Sequence, residues 1–344
     1  VAWAGLESIA TCWAVASVLF FLLAGLGDPV GMLAGQRTDA ETLNSIRTEL
    51  GLDRSLLHQY LVFLERLSPV GLNKESTLDT RPTVISALPI PGTGWGVSLQ
   101  VPDTGLSYRT REPSVDIYLR HLPATALLTC TALGGALLLG VGLGFGWGWG
   151  WPRAAAWGKF MASVGLSVPG YLMGMILAWL LAVEAGAWTG LPLSGYVWQA
   201  GFGATLYTLD LRCLLLPALA VGIRPCALFF LLAAERAETI YRADFVRTAR
   251  AKGLPETVVR FRHGLRAVCT PILTAAGGWL AGLLGGSFFV EALFDWPGIG
   301  KLTLDALQSG DYPVALGACT YTAFLFWAIN QGTQLVARQL DPRL

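Results

Sequence analysis

What most constrains this chain is the recurrence of apolar runs about 20 residues long, the length of helix that a hydrocarbon core roughly 30 Å thick requires. Six are found: Ile9 to Gly27, Leu119 to Trp147, Phe160 to Glu184, Leu211 to Ala234, Val268 to Val290 and Tyr312 to Val336. Composition agrees, with 53% hydrophobic residues, 14% charged residues and a mean hydropathy of +0.53; a soluble domain carries roughly 25% charged residues. The expected fold is an all-α integral membrane protein with six transmembrane helices. The first run lacks a basic flank, and Gly27-Asp28-Pro29 is unlike a small-residue cleavage site, so it reads as a span and not a signal peptide.

Lysine and arginine in short loops mark the cytosolic side. Arg153 and Lys159 fall between spans two and three, Arg338 and Arg343 in the tail, and a dense basic group between spans four and five. The opposite loops, Trp188 to Asp210 and Glu291 to Asp311, carry acids and Lys301. Both termini are then cytosolic. Residues 1–27 hold the first span, 28–118 a large external region, 119–337 the transmembrane core and 338–344 a cytosolic tail.

In the external region, Thr38 with Glu41 is a capping-box signal for a helix over Ala40 to Leu50. A second helix is expected from Ser55 to Leu67, with Leu56, Leu57, Tyr60, Leu61, Leu64 and Leu67 along one face. Beyond Ser68 the pattern breaks at Pro69, Pro82, Pro89, Pro91, Gly92, Gly94 and Gly96. That is a loop or short-strand region of about 30 residues, a contact surface or a passive insertion.

Within the spans most features read as packing. Cys12, Cys130, Cys213, Cys226, Cys269 and Cys319 lie in or beside apolar runs, without metal-ligand spacing, and read as small core residues. Thr274, Gly278, Gly282 and Gly286 recur every four residues, a ladder that lets helices approach closely, within the subunit or across to a partner. Trp147, Trp149, Trp151 and Trp157 resemble an aromatic belt. Arg224 stands well inside a span, where it snorkels, pairs with an acid or lines a pathway.

The segment 238–267 gathers Arg242, Arg247, Arg250, Lys252, Arg260, Arg262 and Arg266, just after Arg236. A helix from Glu238 to Lys252 is amphipathic, with Ile240, Tyr241, Phe245, Val246 and Ala249 opposite Arg242, Arg247 and Arg250. Gly253 suits the left-handed position that ends a helix. Pro255 suits the first turn of the next, and Glu256 complements its dipole. Two short helices joined by an elbow at Gly253-Leu254 follow, and charge alone leaves the segment either an orientation signal or a grip for a partner.

Asp244-Phe245-Val246-Arg247-Thr248-Ala249-Arg250-Ala251-Lys252-Gly253-Leu254, with Arg262, His263, Leu265, Arg266 and Pro271 after it, resembles the signature of permease subunits of binding-protein-dependent ABC importers, in the dipeptide, oligopeptide and nickel group. The likeness continues in Gly51-Leu52-Asp53, Gln59-Tyr60, Gly105-Leu106-Ser107-Tyr108, Leu122-Pro123-Ala124-Thr125, Pro169-Gly170-Tyr171, Leu191-Pro192 with Ser194-Gly195, Leu216-Pro217-Ala218, Asn330 and the terminal Leu340-Asp341-Pro342-Arg343. Its most specific stretch is Val290 to Pro313, an external hairpin with Glu291, Trp296, Pro297, Gly298, Gly300 and Asp311 as gate candidates. The chain departs from the pattern at Ala267, where Asn is common, at Gln334, where an acid is common, and at Glu238, an acid displaced by about one residue. The stretch after Ser68 resembles an insertion.

The resemblance implies that Asp244, Arg247, Thr248, Ala249, Arg250, Ala251, Lys252, Gly253, Leu254, Arg262 and His263 form coupling helices seated in a cleft of an ATPase subunit. It implies a second homologous permease, two cytosolic ATPases holding ATP and Mg, an external binding protein, a surrounding lipid bilayer, no nucleic acid and a bacterial or archaeal plasma membrane. Peptides are the expected cargo, with nickel or metal chelates and oligosaccharides as alternatives. No G-x-x-x-x-G-K-[ST] loop occurs, since Gly158-Lys159 and Gly300-Lys301 lack the earlier glycine, so the chain is expected to bind no cofactor of its own. His58, His121 and His263 form neither a metal-ligand pair nor a catalytic group. A secondary transporter driven by an ion gradient is the alternative of another class, and it needs coupling-ion residues near the midplane.

Overall fold

A computed structural model of the chain describes residues 2–25, 27, 29–31, 39–74, 83–90, 95–200 and 207–340. Thr38 of the capping box, Asp28, Pro82, Pro91, Gly92, Gly94 and the terminal Asp341 to Arg343 lie outside the described residues. The chain divides into two units, Val1–Pro123 with Lys301–Phe324, and Ala124–Gly300 with Leu325–Leu344.

The first unit opens with α1 (Ala2–Gly25), α2 (Ala40–Leu50) and α3 (Leu56–Leu67). Ser55 starts α3 by accepting a hydrogen bond from the His58 N–H. The apolar face of α3 meets α1 through Phe63, stacked on Phe20 at 5.2 Å, and Tyr60, whose hydroxyl is 2.7 Å from Ser17 Oγ. The Pro/Gly-punctuated stretch folds as three antiparallel strands, β1 (Val70–Lys74), β2 (Val84–Ile90) and β3 (Trp95–Gln100), in the order β1-β3-β2. Val70 pairs with Leu99, and the Gln100 side chain donates to the carbonyls of Glu65 and Ser68, fastening the sheet to the end of α3. These strands add a little sheet to a mainly helical chain, in the stretch expected to be loop or short strands: Pro and Gly cut the segment into pieces too short for a helix, and pairing satisfies their backbone groups instead.

The second unit is built on long helices. α4 (Ser114–Gly150) enters it, followed by α5 (Pro152–Ser167), α6 (Gly170–Leu177) running on as a π-helical turn Ala178–Glu184, and the short α7 (Gly186–Thr189). A two-stranded hairpin, β4 (Trp198–Ala200) and β5 (Tyr207–Leu209), leads to α8 (Arg212–Tyr241). Then come α9 (Asp244–Ala251), α10 (Glu256–Val258), a π-helical turn Val259–Leu265, α11 (Arg266–Gly286), α12 (Phe288–Leu293), α13 (Ile299–Gln308) and α14 (Tyr312–Leu340).

Three helices are long and apolar enough to cross a membrane, in Ser114–Gly150, Arg212–Tyr241 and Tyr312–Leu335, and two bent pairs raise the number to as many as five among the described residues. The first apolar run contributes a shorter helix, Trp13–Gly25. The third expected span, Phe160 to Glu184, is not one continuous helix: α5 and the helix after it bend by 105°. Pro169 explains the break. It lacks an N–H and pushes the residue before it out of helical geometry, and Val168 is extended at ψ 129°.

α8 is the axis of this unit, with 16 of its 30 residues buried. Gly140, Gly144 and Gly148 of α4 lie directly on it: a methyl on Gly144 would stand 3.0 Å from the Ala233 methyl, and one on Gly148 3.0 Å from that of Ala237. This glycine ladder, at the four-residue spacing that brings backbones together, joins α4 to α8. The ladder singled out on α11 behaves differently. Thr274, Gly278 and Gly282 are exposed, and among the described residues nothing lies within 4 Å of a methyl placed on Gly278 or Gly282. Gly286 closes the same helix. Within the chain α11 buries Val268, Ile272, Ala276 and Leu283 in the core shared with α8, and its Gly277 meets the Thr333 side chain.

Candidate functional site

The basic segment folds at the end of α8. That helix stops at Tyr241, and Ala243 is extended at ψ 146°, so α9 is a separate helix and the expected continuous one from Glu238 to Lys252 is corrected. Neither Gly nor Pro marks the break. Burial accounts for it, because Ile240 before the bend and Val246 and Ala249 after it all enter one core with Trp149 and Val259.

α9 ends in a closed turn. The Gly253 N–H donates to Arg250 O at 2.9 Å and the Leu254 N–H to Ala249 O at 3.3 Å, while Gly253 adopts φ +74°. These two bonds and the left-handed residue make a Schellman motif, which satisfies carbonyls that the helix end leaves open. Pro255 is extended and caps α10 from just outside it, one position before the expected first turn.

The elbow is clamped from within. Arg250 grips Glu256 with two bonds, Nε to Oε2 at 3.0 Å and Nη2 to Oε1 at 2.8 Å, and its guanidinium lies 4.4 Å above the Tyr241 ring. Trp149 Nε1, at the end of α4, donates to the same carboxylate at 2.9 Å. The bond from Arg250, helped by that from Trp149, holds the Glu256 carboxyl below its usual range. Trp149 also packs against Tyr241, at 5.6 Å between ring centroids, and against Gly264, where any side chain would enter its ring. Trp149 is therefore a buried bracket, not a belt residue, whereas Trp151 and Trp157 are exposed. Lys159 of α5 pairs with Glu238 at 3.0 Å.

The candidate residues separate accordingly. Ala249 is buried and Arg250 is engaged inside the elbow. Asp244 and Arg247, whose side chains are 98% and 76% exposed and 3.7 Å apart, stand outward with Thr248, Ala251, Lys252, Gly253 and Leu254. Phe245, 49% exposed, adds an apolar surface beside them. Arg262 is exposed on the π-helical turn that it shares with His263.

A second constellation surrounds Glu291, which is fully buried. Its Oε1 accepts from Thr125 Oγ1 at 2.9 Å and Ser287 Oγ at 2.7 Å, and its Oε2 from the Gly300 N–H at 2.7 Å. Thr125 Oγ1 in turn accepts from the Ile299 N–H at 2.8 Å. Trp296, also fully buried, donates Nε1 to Ala124 O at 2.9 Å and meets Tyr196 edge-on. Asp295 takes φ +54° to make the turn, Pro297 is half-buried, and Gly298 is pressed against the Glu291 carboxylate. These residues form a rigid bracket.

Asp311 belongs to the other unit. It is buried and accepts from Ser107 Oγ at 2.5 Å and the Tyr108 N–H at 3.0 Å. Asp103, which sequence reasoning passed over, pins the same loop by accepting from Ser114 Oγ, Tyr321 Oη and the N–H groups of Gly105 and Val115. A cavity of about 790 Å³ opens here, lined by Phe20, His58, Phe63, Arg66, Tyr108 and Tyr312 among others. Burial, then the neighbouring Asp311 charge, pushes the Tyr108 phenol up to about 12.

Comparison with known proteins joins these features. A family described as the binding-protein-dependent transport system inner membrane component matches residues 136–344, and a family described as its N-terminal membrane component matches residues 6–77. The chain is similar to the glutathione transport system permease protein GsiC of Escherichia coli K12, 29% identical over 340 residues that cover 96% of this chain and 94% of the relative. It is 30% identical over 341 residues to the protein of the same name from Pectobacterium atrosepticum, with 96% and 94% covered. The chain therefore belongs to the inner membrane components of binding-protein-dependent transport systems, and is a permease subunit of an ABC importer.

Proposed function

We propose that this permease carries short peptides inward, as one half of a pathway shared with a second homologous permease and served by two cytosolic ATPases, which bind ATP and Mg, and an external binding protein. Six spans with both termini cytosolic, an external region over 28–118 and a cytosolic elbow over 238–267 complete the reading. Similarity to glutathione permeases over nearly the whole chain favours a small peptide as cargo.

The observation that carries the reading is the braced elbow. A Schellman turn at Gly253, an Arg250–Glu256 clamp and a bond to Trp149 leave a stiff, exposed tip formed by Phe245, Arg247, Thr248, Ala251, Lys252 and Leu254. Such a tip suits docking, and its bracing to α4 suits the transmission of force. ATP closes the ATPase pair, the seated elbow follows, and the helices change between outward- and inward-open arrangements, each favoured by a different ligand. The exposed Thr274, Gly278 and Gly282 ladder supplies a smooth face for the second permease.

The test is reconstitution of the complex in vesicles with its binding protein. Peptide-stimulated ATP hydrolysis and uptake are expected. The pair Lys252→Glu and Leu254→Asp, both on the exposed tip, is expected to release the ATPases while the permease stays inserted. Normal coupling in that variant overturns the elbow as the docking site. Stimulation by a nickel chelate or an oligosaccharide in place of peptide reassigns the cargo, and transport by the chain alone under an ion gradient replaces the reading with a secondary carrier.

A further inference from the structure

Arg224 is the charge that neither the elbow nor the hairpin accounts for. It is exposed on α8, and among the described residues it has no ion pair or hydrogen bond. Twelve residues separate it from Arg212 at the start of the helix, about 18 Å at 1.5 Å per residue, which exceeds half of a hydrocarbon core roughly 30 Å thick. A guanidinium facing acyl chains at that depth is strongly disfavoured, and intramembrane cations face a cavity or a counter-charge.

The packing of α8 narrows where it faces. Gly222 lies on the Ala132 backbone of α4, and Ile223 and Ala227 lie beside Gly165 of α5. Ala220, one turn before Arg224 on the same face, abuts Gly174 of α6, where a methyl would stand 3.3 Å away. Arg224 is thus level with the break at Val168–Pro169, between the α5 contact and the α6 contact. Discontinuous helices at mid-membrane depth are a recurring feature of solute pathways. Among the described residues no acid pairs with it: Glu291 is held by Thr125, Ser287 and Gly300, Glu184 lies ten residues beyond Gly174 at the far end of the π-helical turn, and Glu235 lies eleven residues along α8.

We propose that Arg224 faces the translocation pathway and binds a carboxylate of the passing cargo, making this permease selective for peptides with a free acidic end. The inference rests on the peptide-import reading. A planar guanidinium matches a carboxylate with two parallel bonds and stays charged at any physiological pH. Its weaker hydration than an ammonium suits repeated capture and release.

The experiment compares ATP-driven uptake of a tripeptide and of its C-terminal amide by the complete reconstituted complex, for the wild type, Arg224→Gln and Arg224→Lys. Loss of one charge-assisted bidentate contact predicts roughly tenfold slower uptake of the acid in Arg224→Gln, with the amide unchanged and Arg224→Lys in between. An unchanged ratio of acid to amide overturns the inference and leaves the import reading standing; no ATP-driven uptake of either peptide by the wild type overturns that reading itself. Equal loss of both peptides together with release of the second permease makes Arg224 an interface charge and overturns the inference. Because Arg224→Gln can misfold, Arg224→Cys in a background with the native cysteines replaced by alanine, the exposed Cys130 included, is treated with a membrane-impermeant thiol reagent. Labelling that cargo suppresses supports the pathway placement, and a thiol that stays unlabelled in every nucleotide state overturns it.

Discussion

At the residue scale the elbow turns on one glycine and one ion pair. Gly253 holds φ +74° with no described residue within 4 Å of where a side chain would begin, so a substitution there is penalised by backbone geometry. A left-handed residue other than Gly costs about 1–2 kcal/mol, least for Asn and most for a β-branched side chain. Uptake is expected to fall in the order Gly, Asn, Ala, Val while membrane insertion persists; equal uptake by Gly253→Val and the wild type contradicts this account. Arg250 and Glu256 make the second test. Their bidentate pair is half-exposed and stabilises by about 1 kcal/mol at most, so Glu256→Gln is expected to lower the Tm by no more than a few degrees while impairing coupling. The sign with pH follows from the depressed Glu256 pKa. A carboxylate whose folded pKa lies below its unfolded value stabilises fully above the unfolded value, near 4.3, and loses that contribution as pH falls through the folded one. The Tm gap between wild type and Glu256→Gln should therefore be constant from about pH 8 to 5 and close only in stronger acid. Gly253 and Pro255 were legible in the sequence because their chemistry is local. The clamp was not, since Arg250 and Glu256 meet across a turn and not along a helix face, and Trp149 lies 107 residues away.

At the scale of elements, two ladders of small residues with the same spacing carry opposite expectations. Gly140, Gly144 and Gly148 press α4 onto α8, and even a methyl on Gly144 meets the Phe230 and Ala233 backbone and side chain. Gly144→Leu therefore overpacks a closed contact, at a cost of about 1–3 kcal/mol or more, and the purified chain is expected to lose Tm or fail to accumulate. A methyl on Gly278 has nothing within 4 Å among the described residues; Gly278→Leu should leave the Tm of the isolated permease unchanged and reduce recovery of the second permease. Reversal of the two outcomes would refute the assignment of faces. Spacing alone told neither ladder from the other, because periodicity reports a helix face and not what covers it. The hairpin teaches the same lesson: its motif was legible, but an acid between apolar residues reads as exposed, while Glu291 is buried and takes three donors from separate segments. Thr125→Val, which removes one donor and orphans the Ile299 N–H, should destabilise by about 1–3 kcal/mol, read as a lower Tm without loss of insertion.

For the whole molecule, the distribution of charge says more than its sum. The chain has a formal net charge of +1, yet eight of its 24 Lys and Arg residues lie between Arg236 and Arg266. A nearly neutral protein that concentrates its cations in one short loop obtains orientation from that loop, since basic residues near helix ends resist translocation. The same residues also shape the elbow, so on the proposed reading one segment carries both orientation and coupling, and reversing the first reverses where the second is presented. The consequence is measurable with single cysteines at exposed positions. Lys252→Cys should react with a membrane-impermeant maleimide only in inverted vesicles, and Asp53→Cys only in intact cells with a permeable outer layer. The native cysteines are first replaced by alanine, Cys130 above all because it is exposed. Labelling of both positions from one side would overturn the six-span arrangement. Labelling from opposite sides would leave the bent α5–α6 pair as an element that takes the chain fully across despite its 105° break, because an odd number of crossings must separate Asp53 from Lys252 and α4 and α8 supply two.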